Sequence, residues 1–322
     1  MKILDAYAHV SLPRFMSADE YLKVMDDNGV EKAHICTAES CPDLAELSRA
    51  AVAHPDRFRV SGLPLGETPQ EVLDSIRAQL DSGFTGLRIS DRKIASQPEI
   101  LDILGKAGAT PFVVGEGGFP GAARHLRWFL HNYPKAIICA PHFAGVADPT
   151  IFDSDPDAAP LFAHPRFLVI FSRHGAINHI SLAVWVKEVL RRIGWGRIMF
   201  GSEYPVALYR DEFYMSTTRW PDSSGLPYTD ADQAAFLYGN AANHLFASPP
   251  RPARQLDEKW CRRDLTHSLP VVLFNQSQTK FPEEVNRAFL TAYLARGGEK
   301  GGPYRDFVAQ VLAKTVKNMM KQ

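Results

Sequence analysis

Ionisable residues in this sequence stand where apolar runs stop. Asp5, Tyr7 and His9 end the first run, Cys36 and Thr37 the second, and Arg88 the fourth. Glu116 follows the fifth and His142 closes the sixth. Ser172, Arg173 and His174 follow the seventh, and Ser202, Glu203 and Tyr204 the eighth. A buried Glu203 can take a proton from water, and His9 or His142 can protonate a leaving group or hold an oxyanion. Tyr7 offers a hydrogen bond. Arg88 and Arg173 are natural clamps for a substrate carboxylate, because guanidinium binds it bidentately. Each group also has a plain structural reading. Glu203 could pair with an arginine, Arg88 could brace a loop against Asp91, and Asp5 could cap barrel amides. Cys36 has no visible partner base and, like Cys139, reads as a small buried hydrophobe.

The apolar runs alternate with amphipathic segments from residue 2 to about 246. The patterning predicts strands over Lys2–Tyr7, Val30–Thr37, Phe58–Leu63, Phe84–Ile89, Pro111–Val114, Ala136–Ala140, Phe167–Ser172 and Arg197–Gly201. Between them it predicts helices from Ser17 and over Pro42–Ala53, Pro69–Asp81, Pro98–Lys106, Gly121–Asn132 and Ser181–Arg192, with Asp230–Leu245 last. Ser17 with Glu20 is a capping-box signature, and Gly29 ends that helix. Eight strand-then-helix units in a row predict a parallel sheet closed into a TIM-type (β/α)8 barrel. A doubly wound sheet usually carries a glycine-rich loop after its first strand, and Ala6–Pro13 contains no glycine. In a barrel, the strands' C-terminal ends meet at one mouth, which would gather the residues named above.

Two segments fall outside this rhythm. Val206–Thr229 carries Tyr209, Phe213, Tyr214, Trp220 and Tyr228, and is expected to close over a substrate. Residues 247–322 open with Pro249-Pro250-Arg251-Pro252, a linker signature. Two helices are expected there, Pro282–Ala295 and Tyr304–Met320, packing as a C-terminal extension on the barrel or on a partner subunit.

Composition narrows the partners. The 322 residues hold 36 Lys plus Arg against 36 Asp plus Glu, so nothing draws the chain to nucleic acid or an anionic membrane. None of the four cysteines forms a C-x-x-C pair, and no run nears a membrane span. A cytoplasmic protein acting on a small molecule is expected.

The strand ends, taken together, resemble the amidohydrolase-related branch of the amidohydrolase superfamily, which contains decarboxylases and lactonases. The matching pieces are Ile3-Leu4-Asp5-Ala6-Tyr7-Ala8-His9, Gly86-Leu87-Arg88 and Ala136-Ile137-Ile138-Cys139-Ala140-Pro141-His142. They continue with Phe200-Gly201-Ser202-Glu203-Tyr204-Pro205 and Gly239-Asn240-Ala241. The resemblance spans residues 2–246 and implies a barrel enzyme, often dimeric. Its metal-binding pattern is degenerate here. Tyr7 replaces the first histidine of Asp-x-His-x-His, leaving His9. Gly115 stands at the fifth-strand histidine with Glu116 beside it, and Glu203 replaces the eighth-strand aspartate, while His142 is kept. The resemblance therefore leaves two sites open. One is a single divalent metal, zinc first, on His9, His142 and Glu203, with Glu116 able to replace the missing imidazole. The other has no metal, as in the pyrone lactonases of the branch.

The favoured activity is hydrolysis of an ester, lactone or amide bond in a small carboxylated or cyclic substrate. Glu203, His142, His9 and Tyr7 would carry the chemistry, and Arg88, Arg173, Glu116 and Tyr204 would hold the substrate. The alternatives are a non-oxidative decarboxylase or another metal-independent lyase, and an inactive barrel serving as a binding module.

Overall fold

The computed structural model describes residues 2–12, 15–39, 42–172, 179–210, 212–223, 225–261, 271–272, 280–281 and 283–320. Its apolar runs form eight parallel strands in chain order: β1 (Ile3–His9), β2 (Val30–Cys36), β3 (Phe58–Gly62), β4 (Gly86–Ser90), β5 (Thr110–Val114), β6 (Ile138–Ala140), β7 (Phe167–Phe171) and β8 (Ile198–Phe200). Leu4, Phe112, Cys139, Leu168, Ile170 and Met199 fill the bore, with Phe246 packed against them. The outward strand faces join the helices in the larger core. This is the TIM-type barrel that the alternation predicts. Its seam runs through the candidate site: Glu203 N–H donates to Tyr7 O and His9 N–H to Tyr204 O, both at 2.8 Å.

Local signals set the helices. In the first, α1 (Ala18–Asn28), Ser17 and Glu20 form the expected capping box, and Gly29 ends it at φ 68°. The segment expected as one last helix is three: Asp230–Ala234, a π-wound turn over Ala235–Gly239, and Asn240–His244. The widened turn delivers Asn240, whose Nδ2 donates to Trp195 O and Ile198 O, both at 2.7 Å, pinning the start of β8.

The extension lies on the chain's own barrel. Arg251 donates to Ala107 O and Gly108 O at 2.7 Å, and Leu256 N–H to Ser48 Oγ at 2.7 Å. Helix Glu283–Ala295 is tied to α1 by Arg287 and Glu20, and a final helix runs over Tyr304–Met319. Among the described residues no helix is long and apolar enough to cross a membrane.

Candidate active site

The first strand owes its inward-facing chemistry to a bulge. Between Asp5 and Ala8, β1 spends three steps against two of β2 (Ala33 to Ile35). The additional residue lets both Ala6 and Tyr7 join the bore. Beside it, Gly201 follows β8, and a Cβ there would lie 2.6 Å from Ile170 Cγ2 and 2.9 Å from Tyr7 Cβ, so the glycine leaves room for both side chains.

Tyr7 is the centre of the cluster. Its ring meets His9 edge-on at 5.0 Å between centroids and His142 at 5.2 Å. Arg88 Nε donates to its hydroxyl at 2.8 Å. Burial pushes the phenol far above its ordinary range against the opposing pull of Arg88, so Tyr7 keeps its proton. Burial would lower Arg88, but Tyr7 and Cys36 hold it up, leaving a fixed positive charge in the mouth. Cys36 Sγ lies 3.5 Å from His9 Nδ1, and burial pushes the thiol up to about 12. The partner base that the sequence did not show thus stands beside Cys36, while burial favours the neutral thiol.

His142 and Glu203 complete the group, with His142 Nε2 3.5 Å from Glu203 Oε1. Both occupy left-handed backbone: φ is 54° at Glu203, and 58°, 60° and 60° at His142, Phe143 and Ala144. Such conformations cost non-glycine residues about 1–3 kcal/mol each and persist only where surroundings impose them. Here Ser172 Oγ accepts the His142 N–H at 3.0 Å and stands 3.4 Å from its Nδ1, while Trp185 Nε1 donates to Phe143 O at 2.8 Å. Exposures of 0% for Tyr7, 1% for Glu203, 3% for His9 and 9% for His142 put the cluster out of bulk water. An early imidazole, a middle one and a late carboxylate thus meet at one mouth, and with Tyr7 and Arg88 they form a buried cluster of ionisable side chains. A family scan matches the amidohydrolases over residues 2–246. The chain belongs to the amidohydrolase family.

Solved structures share this amidohydrolase's fold. The 2,6-dihydroxybenzoate decarboxylase from Rhizobium is 15% identical, with a TM-score of 0.55 over 76% of this chain and 98% of its own. A probable 2-pyrone-4,6-dicarboxylic acid hydrolase from Acinetobacter baumannii, with citric acid bound, is 13% identical, with a TM-score of 0.55 over 76% and 100%. An amidohydrolase from Burkholderia multivorans with bound zinc is 16% identical, with a TM-score of 0.57 over 77% and 100%. No curated protein matches the sequence.

Several expected site residues of this amidohydrolase lie elsewhere. Glu116 does not join the cluster: its side chain is 64% exposed and pairs with Arg92 at 3.0 Å. Tyr204 is no substrate ligand at the mouth. Its ring packs against Tyr21 and Tyr214, and its hydroxyl bonds Glu299 of the extension. Arg173 and His174 lie outside the described residues. The aromatic segment after β8 is anchored rather than a free lid, with Tyr214 buried and Trp220 against Phe143 and Phe171.

A divalent metal on His9, His142 and Glu203 is the cofactor that the resemblance implies, and among the described residues these side chains are not placed to hold one. A phenol bonded to Arg88 fills the first-strand ligand position. At Gly115 a Cβ would lie 2.2 Å from Asp91 Cγ, so a side chain at the fifth-strand position would have to displace the Asp91 carboxylate. Among the described residues no group of three or more His, Cys, Asp or Glu is placed to hold a metal ion.

Sequence patterning placed Asp5 and Ser172 at strand ends without their partners, and left His34 unmarked. Asp5 Oδ2 accepts the hydroxyls of Tyr21 and Tyr214, both at 2.6 Å, and of Ser202 at 2.5 Å, while Oδ1 accepts the amides of Tyr7 and Ser202 at 3.0 Å. Capping was legible; the three hydroxyl donors come from distant elements. Ser172 orients His142 across two strands. His34 lies in the bore, stacked on Phe112 at 3.8 Å and bonded to Ser61 at 3.0 Å, and burial with nearby Arg59 pushes it down to about 3. Its only signal was a polar residue inside an apolar run.

Proposed function

We propose that this amidohydrolase hydrolyses an ester or lactone bond of a small carboxylated, cyclic substrate, without a resident metal. The observation that carries the reading is the buried Glu203–His142 pair standing against the Tyr7–Arg88 pair. Among the described residues Arg88 bonds Tyr7 through Nε, and its terminal nitrogens would clamp a substrate carboxylate. Glu203 takes a proton from water as the water oxygen adds to the substrate carbonyl carbon. Tyr7, its oxygen already receiving Arg88 Nε–H, turns its own proton to the developing oxyanion. Collapse breaks the carbon–oxygen bond to the leaving group, and the proton on Glu203 returns through His142 to the alkoxide. Arg88 supplies the standing positive charge that a Lewis acid would otherwise provide. The similar probable 2-pyrone-4,6-dicarboxylic acid hydrolase carries bound citric acid, which accords with a carboxylated substrate.

Decarboxylation is the second reading, favoured by the equal likeness to 2,6-dihydroxybenzoate decarboxylase. The test is turnover of carboxylated lactones, aryl esters and hydroxybenzoates by the wild type and by Glu203→Gln. Ring opening or ester cleavage lost in Glu203→Gln supports hydrolysis. Carbon dioxide release replaces it with the lyase reading, and a native fold turning over none of the panel refutes both.

A further inference from the structure

Outside the barrel wall, α1 and the extension border an open cavity of about 710 Å³, a size typical of small-ligand sites. Val24 on one side and Leu294 and Ala295 on the other give it apolar walls, with Phe213 and Tyr204 between. Most charges around it are already matched within the protein. Glu20 pairs with Arg287, Asp27 with Lys300, and Asp26 with Arg57. Lys23, on the same face of α1, has no acidic partner among the described residues. An apolar slot bordered by one unmatched cation suits an apolar body carrying a single carboxylate.

The slot also touches the back of the active site. Glu299 accepts the Tyr214 N–H at 2.8 Å and bonds the Tyr204 hydroxyl. Tyr204 follows Glu203 directly, and its carbonyl accepts the His9 N–H at 2.8 Å. We infer that the cavity is a second binding site, for a small carboxylate with an apolar body, and that its occupancy is felt at His9 and Glu203 through Tyr204. Burial pushes the Glu299 carboxyl up to about 7, so near neutral pH it is partly protonated and repels an incoming anion less. The site is separate from the proposed hydrolytic reaction and does not depend on it.

The test is calorimetric titration of the full chain with 3-phenylpropionate, 3-phenylpropanol and 3-phenylpropylamine. The acid is expected to bind about tenfold tighter than the alcohol, the size of a charge-assisted contact. Lys23→Met, an exposed change, should erase that preference, and Leu294→Trp should abolish binding by filling the slot. Arg88→Met, which removes the mouth's clamp, should leave it intact. Hydrogen exchange at the His9 amide should slow at least threefold when the acid is bound. Binding lost in Arg88→Met, no preference for the acid, a preference that survives Lys23→Met, or unchanged exchange at His9 would each overturn the inference. If Leu294→Trp fails to fold, the Lys23→Met and Arg88→Met results decide alone.

Discussion

The two sides of the barrel mouth are built from the same kind of strand end and come out opposite. On the β1–β8 side, a bulge, a glycine and left-handed backbone turn Tyr7, His9 and Glu203 inward and bury them. On the β5 side, Gly115 follows the strand, the Asp91 carboxylate fills the space beyond it, and Glu116 turns out to Arg92. Asp91 is tied there by the amides of Arg92 at 2.7 Å and Glu116 at 3.1 Å. Strain and buried polarity collect where chemistry is proposed, whereas the β5 end is locally satisfied. The contrast points to a one-sided site centred on a phenol and a guanidinium.

The contrast breaks most visibly at Glu203. Glu203→Gln is expected to lower kcat/KM by about 10²–10⁴-fold with an unchanged circular dichroism spectrum, the range for a general base. Asp5→Asn is expected to cost roughly 3 kcal/mol in denaturant unfolding, because an amide oxygen cannot serve three hydroxyl donors and two amides as a carboxylate does.

The β1–β8 side also leans on the extension through Glu299, and pH reports it. The folded Glu299 value of about 7 lies above its ordinary 4.5, so the folded state holds an additional proton between them. Its contribution is complete below about 4.5 and fades as pH rises through about 7. Glu299→Gln should flatten the stability–pH curve across that window, by up to about 3 kcal/mol, in urea melts at pH 4.5, 6 and 8.

The β5 side should answer differently. Gly115→His, which places there the imidazole that the resemblance implies, is expected to destabilise by roughly 2 kcal/mol through collision with Asp91 and to gain no zinc in elemental analysis. Glu116→Gln removes an exposed pair and should shift stability by less than about 0.5 kcal/mol, with turnover unchanged.

Much of this was legible in residue order. The capping box at Ser17, the glycine stop at Gly29 and the polar strand ends give the barrel and place His9, His142, Glu203 and Arg88 at one mouth. What was not legible is set by register and by distant packing. Tyr7 was expected at the mouth, but the additional residue in β1 that lets both Ala6 and Tyr7 face the bore was not. Tyr204 is adjacent to Glu203 in sequence but faces outward, because Tyr21, Tyr214 and Glu299 from three separate segments receive it. Asp91 occupying the Gly115 space joins β4 to β5, a contact that no local pattern announces.

The most direct measurement is turnover of a carboxylated lactone in oxygen-18 water by protein dialysed against a chelator. One labelled oxygen in the new carboxylate, at an undiminished rate, is the outcome expected of Glu203 activating water beside Tyr7 and Arg88. Unlabelled product with carbon dioxide release, or a rate lost on dialysis and restored by zinc or manganese, would contradict it.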